Sequence, residues 1–432
     1  MAAPAPGSQR EIRRRNLSRV LYAVGERGAG GSRAAVAASL GLTRAAVSTL
    51  VDELLRAGLL VERGPSLPGG GPGRPGTALA VTETGPCGLG AEIGVDHLAV
   101  CAVDLRGQLR VRRRIESGGR DSAPGPVLER LRALVDEVAG EARAAGLRPS
   151  GVAVAVPGLV ARGTTRVVRA PNLGWRDTDV AARLAPEVPA PDLPAPPGAA
   201  QQDTARRDTA PPHPASGGPL LAVTVDNEAN YAALAERWLA GSRVPRDFVH
   251  VSAEVGIGGA VVFDGEPLRG TRGFAGELGH VPVRPDGPAC ACGGHGCLEQ
   301  YAGERAVLRA AGIGTGRSRE AALTTLAERA AAGDAEALGA LRGAGEALGI
   351  ALAGAVNLLD PGAVVLGGVL ARFASWLLPS LEGELGRRVA APGTVPRVLA
   401  SELGAEGPLL GAAHSAVRAV LDDPPVRARR AE

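Results

Sequence analysis

A chain of 432 residues, 45% hydrophobic and 22% charged, has globular composition and enough length for two or three domains with cores of their own. Its 48 basic residues, all arginine, exceed 45 acids by three, and residues 1–85 carry 11 arginines against 6 acids, a net of +5 that leaves 3 − 5 = −2 for the remainder. No uncharged apolar run reaches the roughly 18 residues of a membrane span, the start MAAPAPGSQREIRRRN lacks a signal-peptide core, and five cysteines do not make a secreted disulfide framework, so the composition points to a cytoplasmic protein.

Residues 1–15 read as a disordered polar tail, with Arg10, Arg13, Arg14 and Arg15 as a basic leader. Residues 16–85 then read as a winged helix-turn-helix. Ser32 caps a short helix whose Val36 and Leu40 face inward, Gly41 supplies the left-handed residue of a tight turn, and Thr43 caps the next helix. In that second helix Val47, Leu50, Val51 and Leu54 recur at helical spacing, which leaves Thr43, Arg44, Ala45, Ser48 and Thr49 outward to meet base edges in a major groove. Strands flanking GPSLPGGGPGRPG make the wing, with Arg63 and Arg74 within reach of phosphates. The competing reading is an ordinary helical hairpin. The basic balance of the head favours double-stranded DNA as its partner.

From residue 86 to 423 the texture becomes α/β. GLGAEIGVDHLAVCAVDLRGQLRVRRR predicts a hairpin pair of strands, VLERLRALVDEVAGEARAAG an amphipathic helix, and GVAVAVPGLV a buried strand. Residues 185–219, rich in Pro and Ala, read as a disordered insertion in a surface loop, and 424–432 as a loose tail. Further on, Cys290-x-Cys292-x4-Cys297 follows His280 by ten residues. Three thiolates and one imidazole are a tetrahedral zinc set, and a closed four-ligand site is structural. His295 remains the alternative fourth ligand, and reduced cysteines on a loop the alternative to a metal.

The motifs VPGLV (156–160), APNLGW (170–175), VDNEANYAALAE (225–236), VGIGGAVVFDG (255–265), GELGH (276–280), the cysteine cluster and VVLGG (364–368) resemble, in content and order, those of the ROK family of bacterial sugar repressors and sugar kinases. The resemblance covers about Leu89 to Leu421. It implies an actin-like, RNase H-like body of two α/β lobes around a cleft, with the preceding head and the GRP at Gly73–Pro75 matching the regulator branch. It also implies sugar contacts from Asn172, Asn227, Glu228, Glu277, His280 and Glu299, with one ring nitrogen of His280 on zinc and the other toward the ligand.

Kinases of this family resemble one another in phosphate loops of the form D-x-G-G-T and G-T-G-I-G-G-G. The corresponding stretches here are Glu92-Ile93-Gly94-Val95-Asp96 and Glu254-Val255-Gly256-Ile257-Gly258-Gly259-Ala260, and Glu228 stands where the kinases carry a catalytic Asp. Val for Gly blocks backbone approach to a phosphate, and added carboxylates oppose an anion. N-E-A-N resembles the xylose-repressor branch. The expectation is therefore a homodimeric or homotetrameric repressor of carbohydrate genes without catalytic residues. The alternatives are an ATP-dependent sugar kinase, or a regulator that answers to a partner protein.

Overall fold

The computed structural model describes residues 8–26, 31–65, 77–117, 122–184, 221–314, 318–391 and 393–425. The predicted insertion at 185–219, the wing loop with Arg74 and the GRP tripeptide, and the ends at 1–7 and 426–432 lie outside the described residues.

The head opens with α1 (Gln9–Glu26), so helix takes up residues 9–15 of the tail expected over 1–15. Ser8 and Glu11 form a reciprocal cap: the Ser8 N–H donates to Glu11 Oε2 (2.8 Å) and the Glu11 N–H to Ser8 Oγ (3.3 Å). Arginines of the expected leader are drawn into pairs, Arg13 with Glu53 and Arg14 with Asp423. After β1 (Gly31–Ser32), α2 (Arg33–Leu40) and α3 (Arg44–Arg56) are started by the Ser32 and Thr43 side chains, which accept from the Ala35 and Ala46 amides. Gly41, at φ 65°, ends α2, and the two helices meet at 117°, the geometry of a helix-turn-helix. With β2 (Leu60–Pro65) and β3 (Thr77–Val81), β1 completes a three-stranded sheet in the order β1-β3-β2.

The first lobe contains β4 (Gly85–Ile93), β5 (His97–Asp104), β6 (Leu109–Glu116), α4 (Pro124–Ala144) and β7 (Leu147–Val156). A three-stranded meander thus stands where a two-stranded hairpin was expected. Asp104 Oδ1 accepts from the Arg106 and Gln108 amides (2.9 Å each) and Gly107 takes φ 80°, a tight turn that sends the arginine-rich stretch back as an exposed edge strand. A small sheet of β8 (Leu159–Val160), β9 (Arg166–Ala170) and β10 (Trp175–Asp179) and the short α5 (Ala181–Leu184) precede β11 (Ala222–Asn227), which runs into α6 (Glu228–Leu239).

The second lobe contains β12 (Phe248–Ala253), β13 (Ile257–Phe263), β14 (Glu266–Pro267), α7 (Glu299–Ala302), α8 (Glu304–Ala310), α9 (Arg319–Ala331), α10 (Ala335–Leu359), β15 (Ala363–Gly367), α11 (Gly368–Arg372), α12 (Ala374–Arg388) and β16 (Arg397–Ala400). Its sheet, β14-β13-β12-β15-β16, repeats the order of the first, β6-β5-β4-β7-β11. In each, the first three strands form an antiparallel meander and the last two add in parallel. This duplicated α/β unit is the actin-like body, with a cleft between the lobes.

The final helix, α13 (Gly407–Asp422), crosses back onto the first lobe. Gly88 and Gly90 of β4 admit it, since a Cβ at either would lie 2.5 Å from the Ala413 or Leu409 carbonyl oxygen. Leu17, Leu21 and Val24 of α1 pack in one continuous apolar cluster with Val103 and Leu105 of the lobe and with Leu409, Ala413 and Val417 of α13. The head is therefore built onto the body through a shared core.

Candidate effector cleft, metal centre and DNA-facing helix

Helix α3 buries Val47, Leu50, Val51 and Leu54 and leaves Arg44, Ala45 and Thr49 exposed, with Ser48 half-buried. Thr43 is exposed too, with its hydroxyl engaged as the cap. Thr49 Oγ1 donates to the Ala45 carbonyl (3.2 Å), so its methyl and Arg44 are what this face offers a groove. Arg63, expected at phosphates, pairs with Glu83.

The cleft between the lobes has a volume of about 240 Å³ and gathers all of the expected sugar contacts, Asn172, Asn227, Glu228, Glu277, His280 and Glu299. They arrive from both lobes. Gly256 marks their convergence: a Cβ there would stand 3.0 Å from Glu299 Oε2 and 3.5 Å from Asn172 Nδ2. Asn227 caps α6 through Oδ1, which accepts from the Ala229 amide (2.8 Å), while Nδ2 donates to the Gly158 carbonyl (2.8 Å). One N–H and one lone pair of its amide are thus used, and the second of each remains for a ligand at the cleft wall. Glu228, the first residue of α6, has its carboxyl pushed up to about 8 by burial, with Glu254 and Glu92 adding to the rise.

Both glycine-bearing loops also line this cleft. Their glycines answer to the protein's own packing. A Cβ at Gly94 would enter the His97 ring (2.2 Å), and one at Gly259 would meet the Gly276 carbonyl oxygen (2.5 Å). The Gly94 N–H is turned back to the His97 carbonyl (2.9 Å).

Between the loops stands an ion-pair network in which His97 and Arg319 were not foreseen from sequence. His97 Nδ1 lies 2.8 Å from Asp96 Oδ1, and Nε2 lies 3.4 Å from Glu92 Oε1. Burial opposes the imidazole's charge, but the hydrogen bond to Asp96 and the nearby Glu92 carboxylate prevail and push it up to about 9, while His97 holds Asp96 down at about 2. Arg319 donates through Nε to Glu304 Oε2 (2.8 Å) and through Nη2 to Glu254.

The metal-ligand set forms as expected, with His280 and not the exposed His295 as its imidazole: ligand atoms of His280, Cys290, Cys292 and Cys297 lie within 4.8 Å of one another. Cys292 Sγ and Cys297 Sγ are 3.7 Å apart, against an edge of about 3.8 Å for a zinc–sulfur tetrahedron, and His280 Nδ1 is 3.6 Å from Cys290 Sγ. The Cys292 and Gly294 amides donate to the Cys290 and Cys292 sulfurs (3.5 and 3.4 Å), a shell that favours thiolates. The donor set fits a bound metal ion such as zinc. His280 Nε2 points the other way, 3.8 Å from Glu277 Oε2 at the cleft.

The ROK family model matches residues 88–191 and 220–419, and the break between the two stretches falls in the Pro-rich segment. The chain is 26% identical over 394 residues to the xylose repressor of Bacillus subtilis, covering 90% of this chain and 92% of that protein. It is 27% identical over 346 residues to a glucokinase of Streptomyces coelicolor, covering 75% and 96%. Among solved structures, a ROK family transcriptional regulator, a homolog of E. coli MLC protein, superposes with a TM-score of 0.73 at 23% identity over 96% of this chain and 98% of that one. A ROK family glucokinase from Streptomyces griseus in complex with glucose and AMPPNP gives 0.60 at 26% identity over 77% and 99%. No single helix among the described residues is long and apolar enough to cross a membrane. With its duplicated lobes, its shared cleft and a family match over most of its length, this chain belongs to the ROK family.

Proposed function

We propose that the chain is a sugar-responsive transcriptional regulator, a repressor of carbohydrate genes, whose kinase-like body binds its effector without phosphoryl transfer. The observation that carries this reading is the union of two features in one molecule. A helix-turn-helix with an open Arg44 face is built onto a body whose cleft converges Asn172, Glu228, Glu277, His280 and Glu299. Carboxylates and amides so placed exchange hydrogen bonds with vicinal hydroxyls. Whole-chain similarity to a xylose repressor supports the same reading.

His280, Cys290, Cys292 and Cys297 would hold a structural Zn²⁺, which would supply a fixed orientation of the His280 ring; Nε2 of that ring and the other cleft residues make the contacts to the sugar. Glu228, whose carboxyl is raised to about 8 by burial and by the Glu254 and Glu92 charges, can in its protonated form donate to a sugar oxygen. Closure of the lobes on the sugar alters the disposition of two heads in a homodimer or homotetramer on operator DNA.

Duplexes selected by the purified chain from a randomised library are expected to carry inverted half-sites about one helical turn apart or a multiple of it. A sugar from a panel including D-xylose and D-glucose should change affinity for that duplex. Asn172→Ala should remove the sugar effect and leave DNA binding intact, and the protein should contain one zinc per chain by mass spectrometry. Sugar-dependent ADP release from ATP, lost in Glu228→Ala, would overturn the non-catalytic part of the proposal.

A further inference from the structure

We infer that the effector is an unphosphorylated sugar, because the half of the cleft that a phosphate would enter is walled with carboxylates whose companion cations are already spent. This rests on the reading of the cleft as a sugar site and names the ligand's charge class.

Beyond the hydroxyl-binding end, the cleft is bounded by Glu92 and Asp96 on one loop and Glu254 on the other, with Glu304 behind Arg319. The cations there are His97 and Arg319. His97 is bracketed by Asp96 and Glu92, and Arg319 by Glu254 and Glu304. Of the groups lining the cleft there, three carboxylates (Glu92, Asp96 and Glu254) face these two cations, a net charge of 2 − 3 = −1, and Glu304 holds Arg319 from behind. Glu92 and Glu304 are buried, so their charges are poorly screened by solvent.

The remaining arginine of the cleft, Arg169, donates to the Ala291 carbonyl (3.0 Å). Two backbone donors of these loops are taken as well, the Gly94 amide by the His97 carbonyl and the Glu254 amide by the Gly256 carbonyl (3.0 Å). The rise of the Glu228 carboxyl has the same origin, for Glu254 and Glu92 oppose its ionisation after burial has begun the work. A sugar hydroxyl donates to such a wall. A phosphate dianion is repelled by it unless an existing ion pair is broken.

The test is calorimetric titration of the full chain with D-glucose, D-xylose, N-acetyl-D-glucosamine and other free sugars, each beside its monophosphate. A free sugar is expected to bind at least about 30-fold more tightly than its phosphate. In Glu92→Gln/Glu254→Gln the ratio of the two affinities should fall several-fold, through gain by the phosphate. A phosphate that binds wild type as tightly as its parent sugar, or a ratio unmoved in the double variant, overturns the inference while leaving the cleft a sugar site. Binding of neither form across the panel sinks the sugar site itself.

Discussion

His250 lies on β12, fully buried, and neither ring nitrogen has a hydrogen-bond partner among the described residues. Burial pushes its imidazole down to about 4, and does the same to His414 on α13, whereas His97 in the cleft is raised to about 9. The consequences have opposite sign. For His250 and His414 the unfolded chain takes up a proton near pH 6.5 and the folded one only near 4, so their contribution is complete above 6.5 and is lost as the pH falls toward 4. For His97 the contribution is complete below 6.5 and is lost as the pH rises toward 9. Stability should therefore peak near pH 6.5. Each histidine contributes on the order of 3 kcal/mol across its window. Denaturant titrations from pH 4 to 9 should show both limbs, and His250→Leu should flatten the acid limb while sparing the alkaline one. An acid limb of unchanged slope in that variant would assign it elsewhere.

At the scale of elements, the closest seam is between α13 and α6. A Cβ at Gly411 would stand 1.8 Å from the Tyr231 carbonyl oxygen, so Gly411→Ala must push the helices apart. Overpacking of this kind costs about 1–3 kcal/mol, which thermal denaturation reads directly; an unshifted melting curve would show the seam to be loose. What the sequence made legible divides along the same line. Caps and turns are decided by a few adjacent residues, so Ser32, Gly41 and Thr43 announced α2 and α3, and the cysteine spacing announced the metal set. Ser8 and Glu11 carried the capping-box spacing as well, yet the arginines around them masked a helix held by apolar contacts made far along the chain, at Val103, Leu409 and Val417. Likewise the arginines of β6 concealed an edge strand. Arg319 left no local signal, for it meets Glu254 across 65 residues of sequence. Only the fold assembles that pair.

At the scale of the molecule, α6 joins the cleft to the head. Glu228 begins it, and about 15 Å along its axis stands Trp238, over which Arg418 of α13 lies with its guanidinium carbon 5.6 Å from the ring centroid. Arg418 also reaches Glu266 of the second lobe (2.6 Å) and Asp422 (3.4 Å), and Asp422 accepts from the Tyr22 hydroxyl of α1 (2.7 Å). These residues border a cavity of about 850 Å³ where head and both lobes meet. Movement of the second lobe thus has a path to the DNA-facing head. Tyr22→Phe and Arg418→Gln should each leave sugar and duplex affinities, measured separately, within a few-fold of wild type. The mutual effect of the two ligands, commonly 5–150-fold, should shrink toward unity. Full mutual effect in both variants would remove this path.

The core shared by α1 and α13 has one more consequence, for the nascent chain. Leu17, Leu21 and Val24 find their cover on Leu409, Ala413 and Val417, residues synthesised hundreds of positions later. A translation product halted before α13 would present an uncovered apolar underside in place of a finished reading head.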